Sequence, residues 1–173
     1  MTTLITGGAK CGKSHYAEHL LDAFTGQKIY IATMQPFGEE AHMAIERHRR
    51  IRAGKGFETV ERYTDLSSLE LPQGCGVLLE CIANLCANEM FLPDGSISDP
   101  TERVLDGVHK LQSYASELVI VTNEVGSDGV DYAEGTAGYI RAMGAVNAGI
   151  AAMADDVIEC VYGIPVAVKG CLR

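Results

Sequence analysis

The stretch Thr2 to Ser14, TTLITGGAKCGKS, constrains this chain more than any other. A short apolar run centred on Leu4-Ile5 reads as a strand. It breaks into a glycine-rich loop and then into a helical segment, His15 to Phe24. The loop fits G-x-x-x-x-G-K-[ST], with Gly7, Gly12, Lys13 and Ser14 at the fixed positions. Glycines let the backbone curl so that successive N–H groups converge on an anion. The helix that follows aims its positive end at the same point. Gly7, Gly8, Ala9, Lys10, Cys11, Gly12, Lys13 and Ser14 are therefore the candidate phosphate cradle of a nucleotide site. Lys13 would reach the β- and γ-phosphates, and the Ser14 hydroxyl would ligate Mg²⁺. The competing reading is a glycine turn with a solvated lysine.

The 173 residues suit one domain spanning 1–173, and 47% apolar content excludes a disordered chain. No run is long enough for a membrane span, and no signal peptide is evident, which points to the cytoplasm. Acidic residues outnumber basic ones, 23 to 14, which argues against general nucleic-acid binding. The six cysteines form no C-x-x-C pair and no zinc spacing, so reduced, partly buried thiols are expected. Cys11 stands apart, because it lies in the loop at a helix N-terminus, where oxidation would inactivate the protein.

Downstream, Lys28 to Ala32 reads as a strand, with Thr33 at its end as a candidate nucleotide contact. Phe37 to Ala53 has helical spacing and carries Arg47, His48, Arg49, Arg50 and Arg52. In an acidic protein this cluster invites a polyanion; the alternative is a solvated face balanced by Glu39, Glu40 and Glu46. Phe57 to Glu61 is a short strand, Thr64 to Ser67 a turn or helix start, and Pro72 to Gly76 a loop. Val77 to Glu80 is a buried strand ending in a carboxylate, where a phosphate-loop protein orients Mg²⁺ or its waters. Glu80 is either that acid or an ordinary one at a strand-to-helix junction.

Cys81 to Phe91 reads as helix, and a second helix starts with Pro100 in its first turn and runs to about Ser116. Leu118 to Thr122 is a buried strand followed by Asn123 and Glu124, at the edge where open α/β sheets bind ligands. These two are candidate substrate contacts or a capping pair. Tyr132 to Ala154 is a long helix whose Gly135, Gly138, Gly144 and Gly149 imply close packing or a break. Asp156 to Val161 and Val166 to Lys169 form a hairpin through Gly163-Ile164-Pro165. The expected fold is α/β and P-loop NTPase-like: a mostly parallel sheet flanked by helices, closed by a C-terminal antiparallel hairpin.

The combination of ITGGAKCGKS, KIYIAT, ERHRRIR, LLEC and VTNEVG resembles the cobinamide kinase / cobinamide-phosphate guanylyltransferase family of the cobalamin pathway, nearly end to end. The resemblance implies two reactions. ATP or GTP phosphorylates adenosylcobinamide, and GTP then gives GMP to the phosphate, leaving adenosylcobinamide-GDP and pyrophosphate. It implies a GMP–histidine intermediate at His48, with Lys13 also catalytic, and Mg²⁺ held through Ser14 and Glu80. It further implies nucleotide contacts at Arg49, Arg52 and Glu61, a corrinoid partner, and a homo-oligomer, commonly a trimer. Lys10 and Cys11 stand where many relatives have Arg and Ser. After TNEVG, Gly144 and Asn147 match, whereas a V-P and an F-R-D common in relatives are missing. That departure bears on corrinoid binding and the kinase step. Two other readings fit the residues: a P-loop small-molecule kinase without guanylyl transfer, and a non-catalytic nucleotide-dependent binding module.

Overall fold

The computed structural model describes residues 1–52, 54–126 and 128–173; the side chains of Glu40, Ala41, Ala44, Arg47, His48, Ile51 and Arg52 lie outside that description. The described strands form one seven-stranded sheet in the order β3-β2-β4-β5-β1-β6-β7. Its members are β1 (Thr2–Thr6), β2 (Lys28–Ala32), β3 (Phe57–Glu61), β4 (Cys75–Glu80), β5 (Ala115–Val121), β6 (Asp156–Val161) and β7 (Ile164–Lys169). All neighbouring pairs are parallel except β6 with β7, which run antiparallel. This is the P-loop-type α/β architecture expected from the sequence, including the closing hairpin. The helices are α1 (Lys13–Leu20), α2 (Gly38–Arg52), α3 (Ile82–Met90), α4 (Thr101–Tyr114) and α5 (Glu134–Met153).

The central strands lack polar alternation because both faces of the sheet are covered. One face packs Leu4, Ile29, Val77, Leu79 and Ile120 with Leu85 of α3, Val108 of α4 and Val146 of α5. The other packs Ile5, Tyr30, Leu78, Val119 and Ile158 with Ala17 and Leu21 from α1 and the turn after it. Side chains alternate across a strand, so Leu4 and Ile5 serve opposite cores. Each fully buried aliphatic side chain of this kind contributes about 1.5–3 kcal/mol relative to exposure.

Several boundaries differ from expectation for local reasons. Helix α1 starts at Lys13, inside the loop motif, since Gly12 at its N-cap adopts φ 99° and leads straight into helix. It stops at Leu20, and the chain then tightens with Leu21 N–H donating to Glu18 O. Strand β4 begins at Cys75, so Cys75 and Gly76 are strand rather than loop. Gly76 has no side chain to clash with the Phe24 ring, whose Cδ1 would lie 2.9 Å from a Cβ there. Pro100 is the N-cap of α4 rather than part of its first turn. The helix ends at Tyr114 and not near Ser116, because Ala115 already pairs with Cys75 of β4. Helix α5 runs unbroken through its glycines. Gly149 packs closely, with a Cβ there 2.8 Å from Leu105 Cδ1, whereas Gly135 and Gly144 face open space.

Candidate active site

The loop between β1 and α1 lies at the carboxyl end of β1, an interior strand between β5 and β6, where an open parallel sheet leaves a crevice. Gly7 adopts φ 133°, and a Cβ there would come 2.5 Å from the carbonyl oxygen of Cys160. Only glycine fits so close to β6. The loop is also tied to the β6–β7 turn, where Gly163 N–H donates to Cys11 O at 2.9 Å. Lys13 is 6% exposed, and its Nζ donates to Gly7 O at 2.8 Å and Gly8 O at 2.5 Å. The ammonium is thus held in the concavity of the loop.

Two predicted metal residues meet. Ser14 Oγ, in the first turn of α1, donates to Glu80 Oε1 at 2.5 Å from the end of β4. The Tyr30 hydroxyl donates to the other carboxylate oxygen. Burial pushes the Glu80 carboxyl above the usual range, and the Ser14 hydrogen bond only partly opposes it. Two hard oxygen donors, one on a poorly solvated carboxylate, suit a hard dication bound jointly with phosphate oxygens. Among the described residues no group of three or more His, Cys, Asp or Glu is arranged to hold a metal alone.

These groups line a cavity of about 660 Å³, a size suited to a nucleotide-scale ligand. Of the candidate residues, Lys10, Cys11, Gly12, Lys13, Ser14, Thr33, Glu80 and Asn123 reach its wall, whereas Gly7, Gly8 and Ala9 are not among the lining residues. Thr33 is fully buried, and its hydroxyl is engaged with the Glu80–Cys81 backbone, accepting from Cys81 N–H at 2.7 Å. Asn123 donates from Nδ2 to Cys81 Sγ at 3.3 Å. Neither Asn123 nor Glu124 caps α5, whose N-cap is Ala133, and Glu124 is exposed.

Arg49 and Glu61 are not among the lining residues. They pair with one another, Arg49 also meeting Glu46 at 3.3 Å. The Tyr63 hydroxyl, 2.8 Å away, and then the Arg49 guanidinium hold the Glu61 carboxyl below its ordinary range. His48 and Arg52 belong to α2, and their side chains lie outside the described residues. Ile45 of the same helix lines the cavity.

Residue-by-residue reading overlooked Tyr30, Glu18 and Asn84, which also line the cavity. Tyr30 had a usable signal. In the β2–β4 register Ala32 faces Glu80 and Tyr30 faces Leu78, so Tyr30 is diagonal to Glu80 on one face. His15 is exposed at the cavity wall.

A family model described as cobinamide kinase / cobinamide phosphate guanyltransferase matches residues 3–168. The chain belongs to this family. It is 34% identical over 184 residues to the bifunctional adenosylcobalamin biosynthesis protein CobU of Escherichia coli, covering 98% of this chain and 100% of that one. The Salmonella typhimurium protein of the same description is 36% identical, again over 98% of this chain and all of its own. The bifunctional adenosylcobalamin biosynthesis protein CobP of Pseudomonas aeruginosa is 30% identical over 98% of each chain. The resemblance seen in the sequence motifs is therefore a family membership, and the chain is an enzyme of the cobinamide kinase / guanyltransferase class. No described helix is long and apolar enough to cross a membrane.

Proposed function

We propose that this enzyme phosphorylates adenosylcobinamide with ATP or GTP and then transfers GMP from GTP to the resulting phosphate through a GMP–histidine at His48. The observation that carries the reading is one cavity walled by the phosphate loop, Lys13, Ser14 and Glu80, in a chain of this family. Such a site serves either transfer, because each needs phosphate charge offset and the leaving group stabilised.

Each residue has a distinct task. The loop N–H groups and Lys13 hold the triphosphate. Ser14 and Glu80 supply oxygen donors for Mg²⁺, which when bound neutralises phosphate charge. Tyr30 and Ser14 fix the Glu80 carboxylate from its two oxygens. A neutral imidazole at His48 is a competent nucleophile near pH 7, and covalent transfer divides one displacement between anions into two. The Nε2 or Nδ1 lone pair bonds to the α-phosphorus of GTP as the α–β bridging bond breaks, and pyrophosphate leaves. The cobinamide phosphate oxygen then attacks the same phosphorus and frees the imidazole. Ile45 supports this assignment, since it lines the cavity and His48 follows it by three residues in α2. Arg49 and Arg52 offset phosphate charge near His48, Glu61 contacts the guanine or ribose, and Asn123 and Glu124 contact the corrinoid.

The chain acts as one catalytic unit in the cytoplasm, and as a homo-oligomer, with a trimer as the expected form. The exposed apolar side chains of edge strand β7, Ile164, Val166 and Val168, favour self-association. The test is product analysis. Incubation with adenosylcobinamide, ATP, GTP and Mg²⁺ is expected to yield first adenosylcobinamide phosphate and then adenosylcobinamide-GDP by mass spectrometry. Cobinamide phosphate without the GDP product would reduce the enzyme to a kinase.

A further inference from the structure

Glu18 sits in the last turn of α1 on the wall of the cavity, and its side chain is 7% exposed. A carboxylate removed from water needs a compensating charge. Lys55 supplies it, with Nζ donating to Glu18 Oε2. Lys55 belongs to the short connection between α2 and β3, flanked by Gly54 at φ 89° and Gly56 at φ 74°. Among the described ion pairs, one joins α2 to another element, Arg49 with Glu61, but both of its members are about half exposed. Exposed pairs of that kind hold geometry weakly. The Glu18–Lys55 pair, with its carboxylate buried and its lysine 31% exposed, is therefore the firmer of the two anchors. It fastens the chain just past α2 to the helix that begins in the phosphate loop.

We infer that Glu18 and Lys55 form a positioning pair that seats the end of α2 against α1, and so serves guanylyl transfer more than phosphoryl transfer. The inference rests on the proposed role of α2 as carrier of the acceptor histidine. Phosphoryl transfer draws on the loop, Lys13, Ser14 and Glu80, which the β1–α1 and β4 backbones hold without α2. Guanylyl transfer adds a nucleophile from α2, so its rate depends on where that helix lies relative to the α-phosphate. Misplacement by about 1 Å lowers a rate by about 100-fold.

The test compares two rates in the full chain: covalent GMP labelling from α-³²P-GTP, and γ-phosphate transfer to cobinamide. Wild type, Lys55→Met and the exchange Glu18→Lys/Lys55→Glu are measured side by side. In Lys55→Met the ratio of labelling to phosphorylation is expected to fall about tenfold or more. The exchange, which restores the opposite charges, is expected to recover most of that ratio. Lys55→Gln is read the same way should Lys55→Met not fold. An unchanged ratio, or an equal fall in both rates, overturns the positioning role and leaves the pair merely structural. A wild type that takes no label overturns the proposed function instead, so the two failures are told apart.

Discussion

At the scale of single residues, the site concentrates groups whose burial has consequences that can be measured. Ser14→Ala removes both a donor to Glu80 and a proposed Mg²⁺ ligand. We expect cobinamide phosphorylation to fall about 100- to 1000-fold, with thermal stability nearly unchanged, in steady-state assays against a melting curve. The Cys86 thiol of α3 tests burial itself. Desolvation pushes it from 9.0 up to about 12. Its folded value is raised, so its contribution to stability is whole below about pH 9 and is lost as the pH climbs toward 12. The full rise corresponds to at most about 4 kcal/mol. Urea titrations at pH 8 and pH 10.5 are expected to show a smaller loss for Cys86→Ala than for wild type. Equal losses would mean that Cys86 meets water in the folded chain. That Lys13, Ser14 and Glu80 would come together was legible in the sequence, because motif spacing and a strand end fix where the backbone places them. Glu18 was not, because its partner lies 37 positions away, and Tyr30 becomes legible only once the β2–β4 register is known.

At the scale of elements, glycine separates packing from propensity. Gly144 lies inside α5 with open space where a Cβ would go. Gly144→Ala is expected to raise stability by about 0.5–1 kcal/mol, from helix propensity alone. Gly107 in α4 is the opposite case, since a Cβ there would lie 2.5 Å from Leu66 Cβ. Gly107→Ala is expected to cost about 1–3 kcal/mol by overpacking. Denaturant midpoints of the two variants should move in opposite directions. Sequence patterning located every described strand and the five described α-helices, since apolar runs and turn residues mark them. It misplaced the start of β4 and the end of α4, where pairing of Cys75 with Ala115 extends both strands beyond their apolar runs. It left open whether the α5 glycines break the helix, because the answer lies in α4, whose Leu105 fills the space beside Gly149.

At the scale of the whole molecule, strand order converges the chemistry. The loop after β1, the carboxylate ending β4 and Asn123 after β5 come from three widely spaced stretches of chain. The sheet order places β4, β5 and β1 side by side, so all three carboxyl ends open on one cavity. The motifs foretold this arrangement, since a phosphate loop after the first strand is built on such a sheet. Which residues would meet a corrinoid was less legible, because the stretch after TNEVG departs from the pattern common in relatives. The most direct measurement is covalent labelling with α-³²P-GTP and Mg²⁺, on wild type and His48→Ala, followed by denaturing gel and acid treatment. We expect an acid-labile, alkali-stable label on wild type and none on His48→Ala, with GTP binding retained by both. A wild type that binds GTP yet takes no label, or a His48→Ala variant labelled as strongly as wild type, would contradict transfer through His48.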